Sequence, residues 1–303
     1  MQPAYILATS TLGILDNVFV LLVFCLHKKA CTVAEIYLSN LAAADLLLVS
    51  CLPFWAVNVA NGFDWTFGPL LCRLVNVGIK VNAYSSIYFL VLVSVDRYVA
   101  LVHTMSHGRM RRPSYAKVVC LILWLFGLLM GVLATIHIKV MFVDELQTMV
   151  CILEYPENSG KSWKLAHNLL MNIVGFIQPF VVIISCSCNI IRALRKRRES
   201  VYIEDRNYRK ATVLVYAVTM LFLVCWSPFK LFTLLDILCE TEVLDEMWDH
   251  TLDIGTQLST YLTFLNSSLN PVLYVFSGLY FRRKVSAIYR RTKNRRSSAT
   301  TES

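Results

Sequence analysis

CRLVNVGIKVNAYSSIYFLVLVSVDRY, residues 72–98, is the stretch on which the reading of this chain turns. Cys72 opens it and Asp96-Arg97-Tyr98 closes it. At about 1.5 Å per helical residue, Cys72 to Arg97 is roughly 38 Å, enough to cross a bilayer from one interface to the other. Asp96 is the only acid in the stretch, and its bases are Arg73, Lys80 and Arg97. Asn82 and Ser86 lie one turn apart, and Ser86 to Arg97 is close to three turns, so these polar groups share a helix face. In lipid such a face must point into a bundle. The stretch is therefore read as a central membrane helix with polar groups at mid-depth and a charged pair at one interface.

The bulk numbers agree. The 303 residues are 56% hydrophobic and 16% charged, against about 25% charged for a soluble domain. That points to a polytopic membrane protein. The net charge of +9 is segregated by loop, so it is a topology signal and not a nucleic-acid footprint. Of the ten cysteines, most lie inside apolar runs (Cys51, Cys120, Cys186, Cys188, Cys225) and read as small buried hydrophobes. No metal-ligand spacing of Cys and His is present in the sequence. The first apolar run is too long for a cleavable signal peptide and lacks a basic leader, so it is expected to act as its own insertion signal. The chain begins almost inside that run, and a longer extracellular tail is expected to be missing.

Seven apolar stretches of spanning length are counted, at about 3–26, 32–58, 69–101, 114–138, 164–192, 211–239 and 251–277. After them, Phe281, Val285, Ile288 and Tyr289 share one face, with Arg282, Arg283, Lys284, Arg290 and Arg291 around it. This is an interfacial amphipathic helix and not an eighth span. The expected fold is an all-α membrane protein, a seven-transmembrane helix bundle plus a short interfacial amphipathic helix. The seven-transmembrane domain occupies 1–277, and a cytoplasmic amphipathic helix and tail occupy 278–303. Segments 27–31, 102–117, 192–210 and 278–303 hold 22 of the 29 Lys and Arg. By the positive-inside rule they are cytoplasmic, which puts the carboxyl end inside and the amino end outside. Twelve of the 20 acids lie on or near the outer side. Either this is a solvated rim or it attracts a cationic ligand.

Asp45 lies mid-way along the second stretch, where an unpaired acid costs several kcal/mol. Asn17, Asn82, Ser86, Asn266, Ser267 and Asn270 are further mid-depth polar groups on four stretches. Asp45, Asn82, Ser86, Asn266 and Asn270 could bind a sodium ion; a helix-packing network alone is the other reading. Pro228, in Cys225-Trp226-Ser227-Pro228, and Pro271, in Asn270-Pro271-Val272-Leu273-Tyr274, each remove one helical hydrogen bond and make a pivot. Cys72 and Cys151 both face the oxidising side and are expected to form a disulfide. Cys239 has no evident partner.

Asn17, Asp45, Cys72, Asp96-Arg97-Tyr98, Trp124, Cys151, Pro179, Cys225-Trp226-Ser227-Pro228 and Asn270-Pro271 with Tyr274 resemble the signature set of rhodopsin-class G-protein-coupled receptors. The set covers all seven stretches in order. Ser187 stands where many members have Tyr, and Ala134 where the fourth span often has Pro. The region 251–280 has no lysine of the kind that binds retinal in opsins, and Ile79 takes the place of the aspartate of amine receptors. Thr32–Leu38, Leu41–Asp45, Leu52-Pro53-Phe54-Trp55, Phe67-Gly68 and Cys72-Arg73 resemble peptide receptors, and among them the bradykinin receptors.

That resemblance implies a cell-surface receptor for kinin peptides, coupled to a heterotrimeric G protein of the calcium-mobilising Gq class. A receptor for another peptide, angiotensin-like or chemokine-like, is the alternative. In bradykinin receptors acids at the outer ends of the sixth and seventh spans hold the kinin's amino-terminal arginine region, and Asp236 and Asp253 occupy those places here. With Lys80 and Trp226 they are the expected ligand-binding residues. Lys80 meets either a peptide's terminal carboxylate or an acid on a neighbouring span. A lysine at that place resembles the type-1 receptor, as does the seventh stretch, whereas Asp96–Met110 resembles type 2; the mosaic leans to type 1. Asp96, Arg97, Tyr98, Pro228, Asn270, Pro271 and Tyr274 are implied in activation and G-protein coupling. Ser297, Ser298, Thr300, Thr301 and Ser303 are phosphorylation candidates for arrestin recruitment. Membrane lipid is an expected partner, and nucleic acid is not. A transporter would show paired halves or broken helices at matching positions, and the sequence has neither. No nucleophile, base and acid set marks an enzyme, so no catalytic residue and no cofactor beyond the allosteric sodium are expected.

Overall fold

A reciprocal cap starts the second helix. Thr32 Oγ1 accepts from the Glu35 N–H at 3.4 Å while Glu35 Oε2 accepts from the Thr32 N–H at 2.8 Å, satisfying two donors that a helix N-terminus would otherwise leave unpaired. The other helices begin and end in the same short polar connections that the apolar pattern marks. The computed structural model describes residues 1–26, 31–102, 112–144, 146–154, 160–198, 205–240, 248–277, 281 and 284–290. Among these, α1 is Gln2–Leu26, α2 Val33–Ala60, α3 Gly68–Val102 and α4 Pro113–Thr135. A hairpin of β1 (Ile138–Val143) and β2 (Thr148–Leu153) follows. The fifth span is α5 (Gly160–Asn172), a wider π turn over Ile173–Ile177, and α6 (Gln178–Arg198). The last two are α7 (Asp205–Glu240) and α8 (Asp249–Ser277). The π turn sits just before Pro179, whose missing N–H removes a rung of the ordinary helical ladder.

Six of these helical spans are long and apolar enough to cross a bilayer. The seventh, α8, has 29 residues, about 44 Å of helix, but its bundle-facing groups are polar. Ser259, Thr263, Asn266, Ser267, Ser268 and Asn270 are all buried. This span is polar because its inward face is spent on hydrogen bonds. Asn17 Nδ2 donates to Ser267 O at 2.9 Å, Ser268 Oγ to Thr9 O at 2.8 Å, and Ser10 Oγ to Val49 O at 2.7 Å. In lipid, where apolar contact drives no helix association, such bonds and close backbone approach hold α1, α2 and α8 together.

Helix α3 is the hub, packed against α2, α4, α6, α7 and β1. Its contact with α4 is the tightest kind. Gly127 and Gly131 form a G-x-x-x-G pair. A Cβ at Gly127 would lie 2.2 Å from Ser85 Oγ, and one at Gly131 would lie 2.8 Å from Val81 Cγ2. Only glycine lets the two backbones approach so closely. The opposite face of α4, with Leu121, Ile122, Leu125, Leu128 and Leu129, is exposed and faces the hydrocarbon.

The hairpin adds two strands to the expected all-α fold. It is pinned to α3 by the Cys72–Cys151 disulfide, with a Cα–Cα distance of 5.9 Å, and Arg73 Nε donates to Ile138 O at 3.2 Å. Lys139 pairs with Glu154 across its base. The Trp65 N–H donates to Met149 O at 2.7 Å, so the connection between α2 and α3 is tied to it as well.

Beyond α8, Phe281 and residues 284–290 are helical. Phe281 is buried against Phe19 and Phe24. Lys284 forms a nearly buried ion pair with Glu35 at 2.9 Å and lies over the Phe24 ring. Tyr289 is exposed, in keeping with an amphipathic segment at an interface. The expected boundary at 277/278 and the phosphorylation candidates Ser297, Ser298, Thr300, Thr301 and Ser303 lie in or next to segments outside the described residues.

Candidate functional site

Three polar constellations lie along the bundle. The first is a cavity of about 550 Å³ at the disulfide end, walled by α3, the hairpin, α5, α7 and α8. On α7 its lining runs from Asp236 inward to Lys230 and Trp226. Six residues separate Asp236 from Lys230, about 9 Å of helix. Lys80 enters from α3, eight residues or about 12 Å below Cys72. Lys80 and Lys230 therefore line the same cavity from two different helices. Among the described residues no acid comes within 4.0 Å of either, so the reading of Lys80 as paired with an acid on a neighbouring span finds no support there. Lys230 lies 5.9 Å from the Phe229 ring centroid. His167 completes this side of the cavity, with Nε2 3.3 Å from Leu133 O.

Trp226 is the deepest lining residue on α7. It stacks on Phe222 at 5.6 Å and meets Phe229 edge-on, and its buried Nε1 has no hydrogen-bond partner. A ligand acceptor or a shift of the ring would satisfy that donor. Asp236 lies on the cavity wall as expected. Asp253 does not. It is exposed, one turn beyond Gln257, the lining residue of α8 nearest that end. Asp236 thus lies in the cavity wall and Asp253 one helical turn above it.

The second constellation is mid-depth. Asp45 is fully buried and accepts three hydrogen bonds: from Asn82 Nδ2 at 3.2 Å and Ser267 Oγ at 2.8 Å on Oδ1, and from Asn270 Nδ2 at 2.7 Å on Oδ2. Ser86 Oγ, Asn266 Oδ1 and Asn270 Oδ1 are buried nearby in sequence register and have no partner. A buried acid beside orphaned neutral oxygens is the donor set of a small monovalent cation. Asn17 Nδ2 donates to Gly13 O and Ser267 O at 2.9 Å each, while its Oδ1 is buried without a partner.

The third is at the far end. Arg97 Nη2 and Nε both reach Asp96 Oδ2, at 2.6 and 3.1 Å. Asp96 is nearly buried and Arg97 is partly so. Tyr98 lies beside them on α3. Tyr216 Oη donates to Ser187 O at 2.7 Å, joining α7 to α6 at this depth. Pro228 and Pro271 sit inside α7 and α8. The side chain of Tyr274 lies outside the described residues.

The seven-helix order, the disulfide to a hairpin and the charged pair at the foot of α3 meet a direct counterpart in known proteins. The family of seven-transmembrane receptors of the rhodopsin type matches residues 16–274. The chain belongs to the rhodopsin family of transmembrane receptors. It is a multi-pass plasma-membrane receptor and not an enzyme. The receptor is 47% identical to the B2 bradykinin receptor of Oryctolagus cuniculus over 293 residues, 96% of this chain and 79% of that one. It is 44% identical to the B2 bradykinin receptor of Homo sapiens over 292 residues, covering 95% and 74% of the two chains. To the human B1 bradykinin receptor it is 40% identical over 291 residues, covering 95% and 82%. Whole-chain identity therefore does not follow the Lys80-based lean to type 1.

Three contacts of the receptor were not read from sequence as site features. Lys230 follows Trp226 by four residues, which places both on one face of α7; that spacing was signal enough. Ser267 was named among mid-depth polar groups but not as an Asp45 ligand. The Tyr216–Ser187 bond carries no sequence signature, because its acceptor is a backbone carbonyl.

Proposed function

We propose that this receptor binds kinin peptides in the cavity at the disulfide end and signals through a heterotrimeric G protein, of the Gq class, at the Asp96-Arg97 end. The observation that carries the reading is the charge order of the cavity: Asp236 at the rim and Lys80 about two turns below Cys72. That order complements a peptide with a cationic amino end and a free carboxylate. The similarity to the B2 and B1 bradykinin receptors supports the same ligand class. On the positive-inside distribution of Lys and Arg, the cavity is extracellular, with the amino end outside and the carboxyl end cytoplasmic. Cells expressing the receptor should mobilise calcium in response to kinins, and vector-only cells should not. Silence to every kinin, with a response to an angiotensin or a chemokine, would reassign the ligand within the same family.

The Asp45 constellation is proposed as an allosteric sodium site that stabilises the resting state. Its support is the three orphaned oxygens around a buried acid. An ion that binds one state stabilises it by mass action, so sodium at ten times its Kd should weaken agonist binding about tenfold. Asp45→Ala should abolish the sodium effect. Agonist affinity indifferent to sodium in the unmutated receptor rejects the site.

Arrestin is proposed to bind the tail once Ser297, Ser298, Thr300, Thr301 and Ser303 are phosphorylated. Each phosphate adds about −1.5 to −2 charges next to a basic segment. Deleting the chain after Arg296 should slow agonist-driven internalisation several-fold; an unchanged rate discards the tail as the arrestin signal.

A further inference from the structure

A single peptide carboxylate does not account for the inner end of the cavity. Lys80 and Lys230 come from different helices, α3 and α7, and both line the same space. No acid among the described residues lies within salt-bridge range of either ammonium. The nearest acid on the wall, Asp236, is about 9 Å along α7 from Lys230. Trp226 and Phe229 from α7, Tyr84 from α3 and His167 from α5 line the same cavity. Each is aromatic, and none brings a negative charge. Two ammonium groups in a poorly hydrated pocket repel, and one carboxylate offsets only one of them.

We propose that Lys230 acts with Lys80 as a paired-ammonium receptacle, and that the ligand it suits brings two negative charges to its buried end: the terminal carboxylate and an acidic side chain on the last residue. The inference rests on the proposed carboxyl-first entry of a peptide, and it narrows the ligand class. A terminal acidic residue places its two carboxylates a few bonds apart, a spacing that two lysines on facing helices can meet. Binding needs no covalent step.

The test isolates one charge. Two kinin-derived peptides, ending in Glu or in Gln, are competed on the unmutated receptor and on Lys230→Gln, Lys230→Arg and Lys80→Gln. The side chains are nearly isosteric, so their affinity ratio reports the second charge. On the unmutated receptor the Glu form should bind about tenfold tighter, the scale of one charge-assisted hydrogen bond. Lys230→Gln should bring the ratio close to one, and Lys230→Arg should keep it. A second arm needs no kinin: thermal unfolding of purified receptor with N-acetylglutamate or N-acetylglutamine at equal ionic strength. The diacid should stabilise the unmutated receptor and Lys230→Arg, but not Lys230→Gln. Stabilisation by the diacid in a receptor that ignores kinins keeps the receptacle and rejects the kinin reading. Kinin binding with no preference for Glu, or a preference that survives Lys230→Gln, rejects the receptacle and leaves the kinin reading standing.

Discussion

On cells expressing this receptor, the kinin lacking its last arginine should compete at least tenfold better than the full nonapeptide. The cavity dictates the direction. In the proposed pose the amino-terminal arginine stays at Asp236 and the carboxyl end enters toward Lys80 and Lys230, which line the same cavity. A final arginine would bring a third cation to that level. Two like charges about 4 Å apart repel by about 4 kcal/mol at the effective dielectric of a partly hydrated site. Even a third of that exceeds tenfold in affinity. Lys80→Ser should narrow or invert the preference. Asp236→Ala should weaken both peptides, and Asp253→Ala should do so less, because Asp253 stands above the cavity wall. Should the full nonapeptide win on the unmutated receptor and Lys80→Ser change nothing, Lys80 is a structural lysine and the receptor behaves as its B2-like identity suggests.

Arg97→Ala should abolish calcium signalling while leaving peptide affinity within a few-fold of the unmutated value. Both Arg97 nitrogens converge on one oxygen of Asp96, and the pair sits at the opposite end of α3 from the peptide. In that geometry the guanidinium is sequestered. We expect its release to accompany movement of the neighbouring end of α7, for which Pro228 supplies a pivot because the carbonyl of Val224 has no helical donor. Tyr216, held to Ser187 O, ties α7 to α6 in the resting arrangement. Signalling from surface-expressed Arg97→Ala at the unmutated level would remove the arginine from the mechanism. Asp96→Asn offers the converse test, since losing the carboxylate charge frees Arg97 and should raise basal activity.

Features of high cost in lipid were the easiest to read from sequence. An aspartate in the middle of an apolar run has very few stable surroundings, so Asp45 and its asparagine partners were legible. Cys72 and Cys151 were legible because topology leaves them on the same oxidising face. The hairpin was harder. Its strands lie between two long apolar stretches, and the alternation in Ile138–Val143 and Thr148–Leu153 is short. Its turn uses Gln147 at φ 51°, where the usual glycine signal is absent. Asp253 was legible by face but not by depth. It continues the Gln257–Thr260–Tyr261 stripe of α8 by one turn, beyond where the cavity ends. Periodicity assigns a face, but only the packed bundle says how far along that face the cavity extends.

The Lys284–Glu35 pair has a consequence for how the chain is made. Glu35 opens α2, and Lys284 is made only after all seven spans have been synthesised. Until Lys284 arrives, Glu35 sits at the start of α2 with its cation missing, and breaking such a nearly buried pair costs about 3 kcal/mol. Phe281 completes the apolar half of the same joint against Phe19 and Phe24. Closure of this seam therefore reports that translation has run through all seven spans. A chain stopped short of residue 284 presents an open, charged seam at the membrane surface.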